Sequence, residues 1–99
     1  MARFDYYPGG TAATWLLDVQ SDHLDRLPTR IVVPLAAPAA ALPEFRDLTP
    51  TLQVEGRDLV LLTPLMAAVP RARLGRPRGN LLAQADDITR ALDILLTGF

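Results

Sequence analysis

A chain of 99 residues, 49% hydrophobic and 21% charged, is of a size and composition for one small globular domain over residues 1–99, and disorder is not the default. A net charge of −1 argues against holding nucleic acid by neutralising many phosphates. The absence of cysteine excludes disulfides, thiolate metal sites and cysteine nucleophiles, and fits a reducing cytosol. All ten basic residues are arginine, which suits planar ion pairs at interfaces, although a coding bias gives the same pattern.

Two-residue periodicity runs from the N-terminus to about Gly75. Residues 3–7 (RFDYY) alternate Phe4 and Tyr6 against Arg3 and Asp5, then stop at the turn cluster Pro8, Gly9 and Gly10. The N-terminal stretch has neither an apolar core nor a cleavage site of the secretory kind. Residues 14–21 (TWLLDVQS) read as a second strand, with Trp15, Leu17 and Val19 on one face and Leu16, Asp18 and Gln20 on the other. Trp15 is then a core or interface anchor. Residues 31–35 read as a buried strand, with Pro34 expected at its end or on a sheet edge because proline donates nothing to a ladder.

Residues 36–50 (AAPAAALPEFRDLTP) form a long connection, in which Pro38 and Pro43 bracket a possible short helical turn. Residues 52–54 and 59–62 alternate around Glu55, Gly56, Arg57 and Asp58, a hairpin signal. Residues 63–70 (TPLMAAVP) are apolar with a proline near each end; no apolar run approaches the ~20 residues that span a bilayer. Residues 72–74 could add one short strand, and residues 75–80 (GRPRGN) a surface loop. Helical periodicity then takes over. Ala85, Ile88, Ala91, Leu92 and Leu95 form one apolar stripe, Asp86 and Asp87 favour its N-terminal end, Arg90 sits a turn away from both, and Gly98 is a natural stop. Several short strands followed by one helix indicate a mostly β fold, a small SH3-like antiparallel barrel with a C-terminal helix.

Catalytic groups are sparse. His23 is the single histidine, so no histidine pair or histidine–cysteine metal cluster exists, and no metal or cofactor is expected. It reads as a solvated turn residue. Gly9 and Gly10 precede a strand pattern and not a helix, so they form no phosphate loop. Asp18 interrupts an apolar strand and reads as an outward-facing acid on a half-solvated sheet or as an arginine's partner. Arg71, Arg73, Arg76 and Arg78 form a basic stretch. On a strand, Arg71 and Arg73 would share a face, either as a solvated edge or facing an acidic peptide or an RNA phosphate.

Five fragments in chain order carry a resemblance. They are LDVQSD at 17–22, RIVVPLA at 30–36, LTP at 48–50 with Val54 and Gly56, MAAVP at 66–70, and DDITRALDILL-GF from residue 86 to the end. Together they resemble the CcdB family of toxins from bacterial toxin–antitoxin modules. The resemblance implies a homodimer with an SH3-like barrel and a C-terminal helix, cytoplasmic and without enzymatic activity. It implies binding to the DNA gyrase A subunit, trapping of the covalent DNA-cleavage complex, and neutralisation by a cognate antitoxin with a disordered C-terminal segment. The gyrase-facing positions carried over are Thr97, Gly98 and Phe99, where the family has Trp-Gly-Ile, with Asp93 for an amide and His23 and Leu24 for two aliphatics. Loss of an aromatic anchor at Thr97 is the main departure, since such truncations cost ~2–4 kcal/mol. Arg71 and Arg73 are antitoxin contacts by charge alone. Two alternatives stay open: a CcdB-like protein that keeps its antitoxin but has lost or altered gyrase poisoning, and a MazF/Kid-type endoribonuclease using Arg71, Arg73 and His23.

Overall fold

The strand formed by Thr29–Ala36 is the spine of the molecule, because three other strands pair with it. The computed structural model describes residues 2–10, 13–40 and 45–98. In chain order its elements are β1 (Asp5–Pro8), β2 (Trp15–Asp18), β3 (Thr29–Ala36), β4 (Thr51–Val54), β5 (Arg57–Leu61), β6 (Ala67–Pro70), β7 (Gly79–Asn80) and the helix α1 (Ala85–Thr97). Short 3-10 turns occupy the connections, among them Asp22–Leu24, Thr63–Leu65 and Arg71–Arg73. The antiparallel sheet runs β4-β5-β3-β2-β1-β7, and β6 pairs with the first half of β3. This is the mostly β architecture that the periodicity predicts, a sheet curled into a half-barrel with a helix at its end.

The curl is held by side chains that bridge its two ends. Gln84 gives its Nε2–H to the Gln53 carbonyl (2.8 Å), and its Oε1 accepts the Gln53 N–H (2.9 Å). One amide thus imitates a neighbouring strand for the outer edge of β4. The hairpin tip adds a second bridge, since Glu55 accepts from Arg78 Nε at 3.0 Å and from Tyr6 Oη at 3.0 Å. Glu55 (φ 53) and Gly56 (φ 79) are both left-handed, as a two-residue hairpin turn requires. A glutamate is a costly choice for the first position, and the bonds to Arg78 and Tyr6 offset that cost.

One face of the sheet carries Tyr6, Leu17, Val19, Val33, Leu35, Leu52, Val54, Leu59 and Leu61 and receives Ile88, Ala91 and Leu92 of α1. Full burial of side chains such as Ile88 and Leu92 contributes roughly 1.5–3 kcal/mol each, which docks a helix of 13 residues that would be marginal alone. Gly98 ends the helix in the left-handed region (φ 85), its N–H bonded to the Ile94 carbonyl (3.0 Å). The opposite face carries a smaller cluster of Tyr7, Val32 and Leu74, with Leu16 and Val69 against it. The alternation read for residues 14–21 therefore holds from Trp15 to Val19, although the strand itself is the shorter Trp15–Asp18. Trp15 is half-buried, with its ring edge-to-face on Tyr6 at 5.2 Å between centroids.

Four expectations need correction. The first strand begins at Asp5 and not at Arg3, because Phe4 adopts φ 71; it still reaches the core, held by its N–H to the Asp18 carbonyl and by Leu81 N–H to its own carbonyl. Residues 72–74 form no strand, since a 3-10 turn at Arg71–Arg73 is closed by Leu74 N–H to the Arg71 carbonyl. Arg71 and Arg73 therefore do not share a strand face. The expected surface loop at 75–80 instead ends in β7, where Asn80 and Gly79 pair with Asp5 and Tyr6. Pro34 lies inside a strand with partners on both flanks. Its place is explained by the ladder: Thr14 N–H to the Leu35 carbonyl and Val19 N–H to the Ile31 carbonyl set the odd-numbered residues toward β2. Pro34 faces the other way, between the stretch paired with β6 (29–32) and that paired with β5 (35–36), where only its carbonyl is used, by Leu62 N–H at 2.9 Å. Of the expected turn between prolines, Pro38–Ala40 is a 3-10 turn, and Pro43 lies outside the described residues.

Candidate functional site

The connection from β2 to β3 would be a floppy surface loop without internal supports, and the sequence supplies several. Gln20, nearly buried, donates Nε2–H to the carbonyls of Leu24 (3.1 Å) and Thr29 (3.2 Å), while its Oε1 accepts the Ile31 N–H (3.1 Å). Ser21 caps the 3-10 turn by accepting the His23 N–H, and Asp22 Oδ1 accepts the Arg3 N–H at 2.8 Å. These bonds fix where Leu24 points although it is 49% exposed.

Beneath this loop lies an ion pair that the sequence reading placed at a solvated surface. Asp18 and Arg30 are both 0% exposed, and Arg30 Nε donates to Asp18 Oδ2 at 2.8 Å. Asp18 Oδ1 accepts the Gln20 N–H (3.0 Å), Arg30 Nη2 donates to the Gln20 carbonyl (3.4 Å), and Asp25 Oδ1 stands 3.6 Å from Arg30 Nη1. Burial alone would lower the guanidinium's pKa, but the hydrogen bond to Asp18, with the charges of Asp18 and Asp25, more than offsets it and leaves it raised. The expected arginine partner for Asp18 is therefore real, and the solvated position is not. Asp18 is buried with Arg30 on the face of the sheet that also carries its strand partner Val32 and, with it, Tyr7 and Leu74. The neighbouring Tyr7 hydroxyl, also fully buried and with no hydrogen-bond partner among the described residues, is pushed up to about 12, chiefly by burial and then by the charges of Asp5 and Asp18.

Between the 3-10 turn at Asp22–Leu24, β3 and the last turns of α1 opens a groove of ≈ 350 Å³. Leu24, Ile31, Met66, Leu92 and Leu96 make its walls apolar, and Asp93, Thr89, Gln20 and Arg3 supply its polar rim. Arg3 is held there by its Nε–H to the Val19 carbonyl (3.1 Å) and by its guanidinium 4.7 Å from the Phe4 ring centre. Two residues singled out from the sequence, Leu24 and Asp93, meet in this groove across almost 70 positions of chain. His23 is exposed beside Leu24 on the same turn. Thr97 and Gly98 form the exposed end of α1, where Thr97 Oγ1 donates back to the Asp93 carbonyl at 2.6 Å. Phe99 lies outside the described residues. Arg71 and Arg73 sit elsewhere, on the turn following β6, and line no part of the groove.

A family model described as CcdB protein matches residues 3–98. The chain belongs to the CcdB family. It is a toxin of the CcdB type, as the fragment-by-fragment resemblance implies. Within this CcdB fold, Arg3 and Met66 are groove residues that the sequence reading missed. No local signal marks them, since they reach Leu24 and Asp93 only through the pairing of strands far apart in sequence. Among the described residues no cluster of three or more histidine, cysteine, aspartate or glutamate side chains could hold a metal ion. No helix there is long and apolar enough to cross a membrane.

Proposed function

We propose that this CcdB-type toxin acts in the cytoplasm as a homodimer that binds the DNA gyrase A subunit and traps the cleavage complex, and that a cognate antitoxin with a disordered C-terminal segment neutralises it. The observation that supports this reading is the convergence of Leu24 and Asp93 on one apolar groove at the helix end, next to Thr97 and Gly98. Leu96, 69% exposed, and Leu24 offer the desolvation that an interface anchor needs. In this reading Thr97, Gly98, Phe99, Asp93, His23 and Leu24 face gyrase. Arg71 and Arg73 face the antitoxin, and no catalytic residue or cofactor is involved.

One observation favours a second reading. Thr97 supplies no aromatic ring where the family has tryptophan, and its hydroxyl is bonded to its own helix. A protein that keeps its antitoxin but has lost or altered gyrase poisoning would look like this. Calorimetric titration against the gyrase A dimerisation fragment separates the two. Measurable binding that weakens on Leu24→Ala carries the first reading, and absent binding sinks it. Thr97→Trp should tighten binding by about 30-fold or more if that position is the missing anchor.

A further inference from the structure

We propose that the segment from β6 through the loop at residues 71–78 is a docking site for an acidic, extended polypeptide segment, held by Arg73, Arg76 and the free edge of β6. The proposal deepens the antitoxin reading above and rests on it for the source of the segment. Residues 59–85 carry four arginines and no acid, in a chain with eleven acids and a net charge of −1, so positive charge is concentrated on this stretch. Two of the four arginines are already committed. Arg71, assigned to the antitoxin by charge alone, donates from Nη1 to the Asp25 carbonyl (2.6 Å) and so lies at the margin of this site, and Arg78 is paired with Glu55. Arg73 and Arg76 are exposed and have no acidic partner among the described residues.

The loop that carries them is pinned. Leu74 is buried in the smaller core cluster, Arg71 N–H bonds the Pro28 carbonyl (2.9 Å), and Arg78 N–H bonds the Tyr6 carbonyl (2.7 Å). Two free guanidinium groups on a fixed frame lose less entropy on binding than they would on a mobile loop. The adjoining strand supplies direction. Arg30 and Val32 face β6 and pair with Val69 and Ala67, so the N–H and C=O of exposed Ala68 point outward. That edge can accept one more strand, and Pro70, which has no N–H, limits it. A backbone edge beside two cations fits a peptide with carboxylates. It fits RNA less well, because no aromatic side chain stands on this stretch for bases to stack on.

The test uses the whole protein and a fluorescein-labelled decapeptide of alternating glutamate and valine, followed by fluorescence anisotropy. Binding is expected at low ionic strength. It should weaken at least about fivefold in the double variant Arg73→Gln, Arg76→Gln, and weaken as salt is raised. A peptide N-methylated at alternate backbone nitrogens should also bind at least about fivefold more weakly. No binding, equal binding by parent and double variant, or tighter binding of a single-stranded RNA dodecamer overturns the proposal. The gyrase titration above is read separately. Gyrase A binding without peptide binding sinks only this site, and arginine-dependent peptide binding without gyrase A binding sinks only the gyrase reading.

Discussion

Removing Arg30 tests whether the buried charge pair holds the β2–β3 connection in place. In Arg30→Ala the Asp18 carboxylate would remain at 0% exposure with one backbone donor, the Gln20 N–H. Leaving one member of a buried pair uncompensated costs ~3–5 kcal/mol. That is a large share of the ~5–15 kcal/mol that holds an ordinary domain together. At ~4–8 °C per kcal/mol for a domain of this size, the melting temperature should fall by about 12 °C or more. Replacing both partners with apolar residues, Asp18→Leu with Arg30→Met, removes both charges at once and should bring stability back to within about 2 kcal/mol of the parent. Urea unfolding followed by circular dichroism, at one fixed protein concentration, measures all three chains. The reasoning is refuted if Arg30→Ala lies within about 1 kcal/mol of the parent, or if the double variant is no more stable than the single one.

Tyr7 holds its proton more tightly when folded, up to about 12, so its contribution is intact below the ordinary phenol range near ~10 and is lost as pH rises through that interval. Tyr7→Phe should therefore lose less stability than the parent between about pH 10 and pH 12, read from urea midpoints. Glu55 shifts the other way: the hydrogen bond from Arg78 first, and that from Tyr6, hold its carboxyl below the usual range against a smaller opposing effect of burial. Its contribution is present at neutral pH and disappears as acid protonates it, so Glu55→Gln should melt below the parent at pH 7, with the gap closing in acid. An unchanged gap across that range would show that the Arg78 contact is not electrostatic. Gly79 leaves no room for a methyl group, since a Cβ there would sit 2.6 Å from Tyr6 Oη and 2.8 Å from ring carbons. Gly79→Ala should cost ~1–3 kcal/mol in thermal unfolding, and a loss under about 0.5 kcal/mol would mean that Tyr6 yields freely.

What the sequence reveals is what depends on near neighbours. The hairpin around Glu55 and Gly56, the two faces of residues 15–19 and the stripe of α1 from Ala85 to Leu92 follow from local periodicity and are found, whereas Leu95, read as part of that stripe, is 37% exposed. The misreadings have long-range causes. Asp18 looks like a surface acid until it is found buried against Arg30, twelve residues further on, and Phe4 looks like a strand residue until two distant backbone bonds hold it left-handed. Residues 72–74 alternate like a strand, but the Leu74 N–H goes back to the Arg71 carbonyl and closes a 3-10 turn in place of a ladder. The groove was half legible: resemblance pointed to Leu24 and Asp93, whereas Arg3 and Met66 belong to it through tertiary pairing alone.

A strand that serves two neighbours on one flank has to keep each from sliding into the other's berth. Pro34 does this for β3 by offering no N–H at the changeover point while its carbonyl is already taken by Leu62, so neither β5 nor β6 gains by creeping one residue further along. Any ordinary amino acid in its stead would open a spare rung there, and with it a rival alignment in which every side chain beyond turns to the wrong side.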